Sequence, residues 1–257
     1  MGKLKIFFLF ILTVGVVLLV TNGARTLILE YQNISLAGNA KEYDPENAEP
    51  ISGSPLEGMN ILYLGSSVTN GSASRGFSFA DYIAKRNNTT FVKEAVNGTT
   101  LVDRDNKSYV KRLEAVDTSL RFDMVICQLS TNDATNQLPL GDVIFEKNPD
   151  TSTVAGAIIY IIDYVKQTWD CPIVFYTGSY YESEHYAKMV DMLKIIGERL
   201  DVGVIDLYTD KEFNNISDEQ RELYMADPIH PTKAGYLEWW TPKMEEYLYE
   251  FVSEKVD

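Results

Sequence analysis

Apolar runs and polar, glycine-containing breaks alternate along this chain of 257 residues. Short apolar runs at 60–64, 90–95, 123–129, 172–177 and 202–207 have the length and composition of buried strands. Between them lie helical patterns at 79–85, 108–116, 154–168 and 184–200, with a last one at 233–252. Ser78, followed three residues on by Asp81, predicts a capped start for the first helix. Pro242 predicts a kink or a division in the last. Such alternation implies an α/β fold: a parallel sheet with helices on both faces and right-handed crossovers between strands.

The amino terminus departs from this pattern. Lys3 and Lys5 are followed by apolar or small residues from 6 to 20, with no polar face. A positive flank before an apolar core is the pattern of an export signal, and this core lies near the lower limit of about 17 residues for a spanning helix. Asn22 stands where a cleavage site wants a small residue, so the reading leans to an uncleaved anchor or signal segment over 1–24. The positive-inside rule then leaves Lys3 and Lys5 in the cytoplasm and the rest of the chain outside it. A cleaved segment would make the protein secreted. Residues 25–58, acidic and containing Pro, Gly and Ser, read as a linker. Residues 59–257 remain for one domain with a sizeable core.

The formal net charge of -14 argues against nucleic acid as a partner, since phosphate binding relies on clustered Lys and Arg. It also argues against electrostatic docking on an anionic membrane, which leaves the amino-terminal segment as the only membrane attachment. Cys127 and Cys171 lie in strand-like segments and read as buried thiols rather than a disulfide. Neither has metal-ligand spacing with a histidine, and the chain calls for no metal and no cofactor. Oligomeric state is left open.

The first apolar run ends in Gly65-Ser66-Ser67-Val68-Thr69-Asn70-Gly71. Ligands of an open parallel sheet bind beyond the carboxyl ends of its strands, so both serines are candidate nucleophiles. Helix capping is the ordinary role of serine in such a turn. Far along the chain, Asp227-Pro228-Ile229-His230 places a carboxylate and an imidazole three residues apart. A weak serine nucleophile needs such a base, and the base needs an orienting carboxylate. Pro228 and Pro231 restrict the backbone there.

These residues resemble the GDSL or SGNH hydrolases. The segment from Gly65 to Gly71 is similar to the family's first block, and Asp227-Pro-Ile-His230 to its last. Ala95-Val96-Asn97-Gly98 resembles the glycine block, and Ser130-Thr131-Asn132-Asp133 resembles Gly-x-Asn-Asp, all four in the family's order. The resemblance implies a flavodoxin-like three-layer sandwich with a five-stranded parallel sheet. It makes Ser67 the nucleophile, His230 the general base and Asp227 its partner. The backbone N–H groups of Ser67 and Gly98 and the Asn132 amide would form the oxyanion hole. Ser66 replaces the family's usual aspartate, and Ser130 its glycine. All these positions follow expected strands at one edge of the sheet.

Tyr180, Tyr181 and His185 follow the fourth strand at that edge and are candidates for lining the substrate pocket. Asp133 reads as bracing the turn that presents Asn132, and Lys111 with Arg112 as a solvated helix face. Asn70 and Asn97 both begin glycosylation sequons inside the expected site, which favours a bacterial cell surface over a glycosylating secretory route. A phosphate-binding loop is excluded, since residues 65–72 lack its lysine. The expectation is a serine esterase that hydrolyses small acyl esters, O-acetyl groups on carbohydrate in particular, outside the cytoplasm. A surface polysaccharide O-acyltransferase and a non-catalytic carbohydrate-binding module are the alternatives.

Overall fold

The computed structural model describes residues 33, 35–145 and 147–256. Five strands, β1 (Asn60–Gly65), β2 (Thr90–Ala95), β3 (Met124–Gln128), β4 (Ile173–Tyr176) and β5 (Gly203–Ile205), form one sheet in the order β2-β1-β3-β4-β5. Every pairing is parallel, with Leu64 of β1 level with Glu94 of β2 and Cys127 of β3. Side chains alternate across the pleat, so Ile61 and Tyr63 face one helical layer while Leu62 and Leu64 face the other. Helices cover both faces, which is why the inner strands β1, β3 and β4 read as unbroken apolar runs rather than as alternating ones.

One layer holds α3 (Tyr109–Ala115), α5 (Val154–Trp169) and α6 (Glu184–Leu200), packed on Leu62, Leu64, Val125 and Phe175. The opposite layer holds α2 (Phe79–Asn87) and the C-terminal helix α8 (Thr241–Val256), packed on Ile61, Tyr63, Ile126 and Tyr176. Ser78 caps α2 in a reciprocal box with Asp81. A π-helical stretch, Gly235–Trp240, runs directly into α8. Pro242 has no N–H to give to the carbonyl one turn back, so the change of helix type falls at this proline. Three short helices carry too few residues to show a period in sequence: α1 (Ser67–Asn70), α4 (Thr131–Thr135) and α7 (Asp218–Tyr224).

The expected anchor or signal segment, 1–24, lies outside the described residues. Among the described residues no helix is long and apolar enough to cross a membrane. The described part of the segment read as a linker, 25–58, lies against the domain. It makes three 3₁₀ turns, Ala37–Asn39, Lys41–Tyr43 and Pro45–Asn47. Tyr82 donates its hydroxyl to the Tyr43 carbonyl at 2.7 Å, and Ser54 its hydroxyl to Asn87 Oδ1 at 2.6 Å. Leu56 and Ala48 are buried. The docking rests on isolated buried residues and polar contacts, which leave no apolar run to read. Cys127 and Cys171 are free and buried, and burial pushes both thiols up.

Candidate active site

The carboxyl ends of β1, β2 and β3 converge on one turn. Ser67 opens α1 two residues after β1 ends, and the residue is 8% exposed. The turn is shaped from below by Gln128, the last residue of β3, whose Oε1 accepts the Ser66 N–H and the Thr69 hydroxyl, each at 2.9 Å. Thr69 Oγ1 in turn lies 2.6 Å from the Tyr176 hydroxyl. Gly65 has no alternative here, because a Cβ would strike Thr69 and Gln128. Gly71 ends α1 in the left-handed region at φ 77°.

From the other side, a chain segment beyond β5 brings His230 to this turn. His230 Nε2 lies 2.7 Å from Ser67 Oγ. Its Nδ1 lies 2.8 Å from Asp227 Oδ2 and 3.0 Å from Oδ1. The Ile229 and His230 N–H groups donate to Asp227 Oδ1 at 2.8 and 2.9 Å. Burial of Asp227 works to raise its pKa. The His230 hydrogen bond and charge, with those two backbone donors, outweigh it and hold the carboxyl below its usual value. An antiparallel bridge from Met225 to Pro231 and the Ala226 N–H on the His230 carbonyl at 2.9 Å close the turn.

Ser66 points elsewhere. It is fully buried, its hydroxyl lies 3.3 Å from Gln128 Oε1, and it accepts a hydrogen bond from Asn132 Nδ2 at 3.2 Å. Gly98, at φ 75°, is exposed, and its N–H has no acceptor among the described residues. Asn132 opens onto the same region, but its Nδ2 also donates to the Thr99 carbonyl at 3.0 Å, so both amide hydrogens have acceptors. Asn70 donates to Asn97 at 3.0 Å, which joins the two sequon asparagines at the rim.

Of the three residues expected to line the pocket, Tyr180 alone stands beside Asp227. Its ring is 55% exposed, backed by Tyr208 at 5.3 Å, and its N–H is held by Asn214 at 2.8 Å. It borders a groove of about 500 Å³ with Asp218, Arg221, Glu222, Asp227 and Pro228. Tyr181 instead packs on Tyr186 at 5.1 Å, partly buried against the core. His185 lies 2.9 Å from the Leu138 carbonyl, tying α6 to the loop that follows α4.

Three residues have roles that their sequence context did not convey. Arg112, read as part of a solvated face, is 8% exposed and reaches the carbonyls of Gly65 and Glu94 at 2.7 and 2.6 Å. Asp133 accepts the N–H groups of Leu101 and Val102 at 2.8 and 2.9 Å, so it braces the loop after β2 as well as its own turn, where it bonds Ser130. Its burial raises its pKa. Gln128 was legible in principle: a polar residue ending an apolar strand must find buried partners.

The sequence model of the GDSL-like lipase/acylhydrolase family matches residues 63–237. No curated protein matches the chain. Among solved structures, a protein from Bacteroides ovatus named as a GDSL-like lipase is 17% identical at TM-score 0.60, covering 76% of this chain and 99% of its own. An acetylxylan esterase from Geobacillus stearothermophilus is 17% identical at TM-score 0.54, covering 75% of this chain and 94% of its own. A family two carbohydrate esterase from Clostridium thermocellum is 16% identical at TM-score 0.53, covering 81% and 66%. At these identities the likeness is one of fold.

Proposed function

The chain belongs to the GDSL-like lipase/acylhydrolase family and is an ester-bond hydrolase, and from that premise we propose that it is a serine esterase that removes small acyl groups, acetyl in particular, from carbohydrate outside the cytoplasm. The observation that carries the mechanism is the unbroken line from Ser67 Oγ through the His230 ring to Asp227, at 2.7 and 2.8 Å.

In this reading His230 Nε2 takes the Ser67 proton as Oγ attacks the ester carbonyl. Asp227 holds Nδ1–H and stabilises the imidazolium that forms. The backbone N–H groups of Ser67 and Gly98 receive the oxyanion, and Asn132 joins them by exchanging its bond to Ser66 Oγ. His230 then returns the proton to the leaving alcohol, and water, activated by the same ring, releases the acid from Ser67.

Two features support a carbohydrate alcohol. The groove beside Asp227 presents an exposed, rigidly backed tyrosine flanked by Asp218, Arg221 and Glu222, a combination suited to stacking a sugar ring and bonding its hydroxyls. Acetylxylan and carbohydrate esterases share the fold. The location outside the cytoplasm rests on the basic and apolar amino terminus.

The test is hydrolysis of acetyl, butyryl and octanoyl chromogenic esters and of acetylated xylo-oligosaccharide by the full chain, with Ser67→Ala alongside. The expected result is acetate release from both substrate types, falling with acyl length and absent in the variant. Turnover that persists in Ser67→Ala would overturn the mechanism. Preference for octanoyl esters, with no release from the oligosaccharide, would overturn the substrate.

A further inference from the structure

The turn that carries Ser67 and the turn that carries His230 are each closed by their own hydrogen bonds. In the first, Gly71 and Ser72 N–H donate to the Ser67 carbonyl, both at 3.0 Å. In the second, Asp227 and Ala226 secure His230. Neither set fixes one turn against the other. From the sheet side, the Tyr236 hydroxyl crosses to the Val68 carbonyl at 2.6 Å. From the outer side, the crossing is made by Asn39.

Asn39 is 3% exposed. Its Nδ2 donates to the Ala73 carbonyl, just past the Ser67 helix, at 2.7 Å, and to the Asn33 carbonyl at 2.6 Å. Its Oδ1 accepts the N–H of Lys233, three residues after His230, at 3.0 Å. The surrounding backbone fits closely: a Cβ on Gly38 would strike the Leu223 carbonyl and the Thr232 hydroxyl. The fully buried Lys233 ammonium pairs with Asp44 of the same strap and lies 5.6 Å from the Phe77 ring centre.

We propose that Asn39 is a positioning residue whose amide sets the distance between the Ser67 turn and the His230 turn, which gives this one residue of the segment before β1 a part in catalysis. The proposal rests on the assignment of Ser67 and His230 as nucleophile and base. Proton transfer requires the pair at hydrogen-bond reach, and a displacement of about 1 Å at such a site costs about 10²-fold in rate. An amide that donates to one turn and accepts from the other resists both separation and sliding. Alanine in its place leaves the Ala73 carbonyl and the Lys233 N–H without that partner.

The experiment compares Asn39→Ala and Asn39→Ser in the full chain with Ser54→Ala and Ser67→Ala, by kcat and KM on an aryl acetate and by thermal melting. Ser54→Ala removes a buried hydrogen bond, 2.6 Å to Asn87, from the same segment but away from both turns. The expected result for Asn39→Ala is a fall in kcat of about 10- to 100-fold, with KM changed less than about twofold. Ser54→Ala is expected to lower the melting temperature and leave kcat unchanged. If Asn39→Ala does not fold, Asn39→Ser is read in the same way. Wild-type kcat in folded Asn39 variants, or an equal loss of kcat in Ser54→Ala, would overturn the proposal and leave the serine mechanism standing. Activity retained in Ser67→Ala would instead remove the assignment beneath it.

Discussion

Arg112 Nη2 donates to the carbonyl of Gly65 at 2.7 Å, so a guanidinium from helix α3 holds the end of β1 two residues before Ser67. The same group reaches the Glu94 carbonyl at 2.6 Å, Lys107 carbonyl at 3.0 Å and Thr99 hydroxyl at 3.2 Å. It therefore joins the ends of β1 and β2 to the loop that carries Gly98. Arg112→Met keeps the stem but leaves these acceptors without their donor, and is expected to cost about 3 kcal/mol. Urea unfolding would measure it, and a change under about 0.5 kcal/mol, the size of an ordinary surface substitution, would contradict this account.

Ser67→Ala and His230→Ala are each expected to lower kcat/KM on an aryl acetate by about 10⁴-fold or more, with Asp227→Asn less severe at about 10²- to 10⁴-fold. Ser66→Ala should lose less than about tenfold, because its hydroxyl serves Asn132 and Gln128 rather than His230. Full activity in Ser67→Ala with loss in Ser66→Ala would reverse the assignment of the nucleophile.

Acid should weaken the fold partly through Asp227. Its folded pKa is depressed, net of burial, by His230 and two backbone donors. A depressed carboxylate contributes stability that is present above the unfolded value of about 3.9 and is lost as pH falls through the folded value. Melting temperatures taken down through the carboxylate range should therefore fall more steeply for the wild type than for Asp227→Asn. Parallel curves would show that Asp227 does not supply this linkage.

The Lys233–Asp44 pair gives a second stability test. Lys233 has no exposed side-chain surface, whereas Asp44 retains 20%. Asp44→Asn leaves a buried ammonium without its counter-charge and is expected to cost about 3–5 kcal/mol. Adding Lys233→Met should recover much of that loss, since a buried pair replaced by apolar volume is often near neutral. Denaturant titration of both variants decides it; a double variant no more stable than the single one would mean that Lys233 contributes through packing instead.

The inner strands were legible because burial on both faces turns them into short apolar runs, whereas the edge strand β2 is only partly buried and keeps Lys93 and Glu94. The bounds of β2 stand as expected, but the last three strands are shorter than their apolar runs: residues 123, 129, 172, 177, 202 and 206–207 fall outside them. Ser67, Asp227 and His230 could be singled out because their chemistry is rare in this chain, which has two histidines. The scaffold around them was not visible, for two different reasons. Arg112 looks like any charged helical residue until the end of β1 is packed against it. Residues 37–48 carry the polar composition of a tether, and only the complementary carbonyls at Ala73 and Tyr43, with Lys233, make them part of the domain. Tyr181 and His185 follow the right strand, but their side chains are taken up by Tyr186 and Leu138.

The separation of 163 positions between Ser67 and His230 also orders their synthesis in time. The last strand ends at Ile205, so the whole sheet precedes His230 in the chain. As the polypeptide is made, the hydroxyl and its turn are assembled first, and the imidazole that can activate it arrives only afterwards. In the proposed mechanism, a chain that has its sheet but not this late turn carries Ser67 without the base that would activate it. On that reading, ester cleavage by this protein reports that its early and late segments have met.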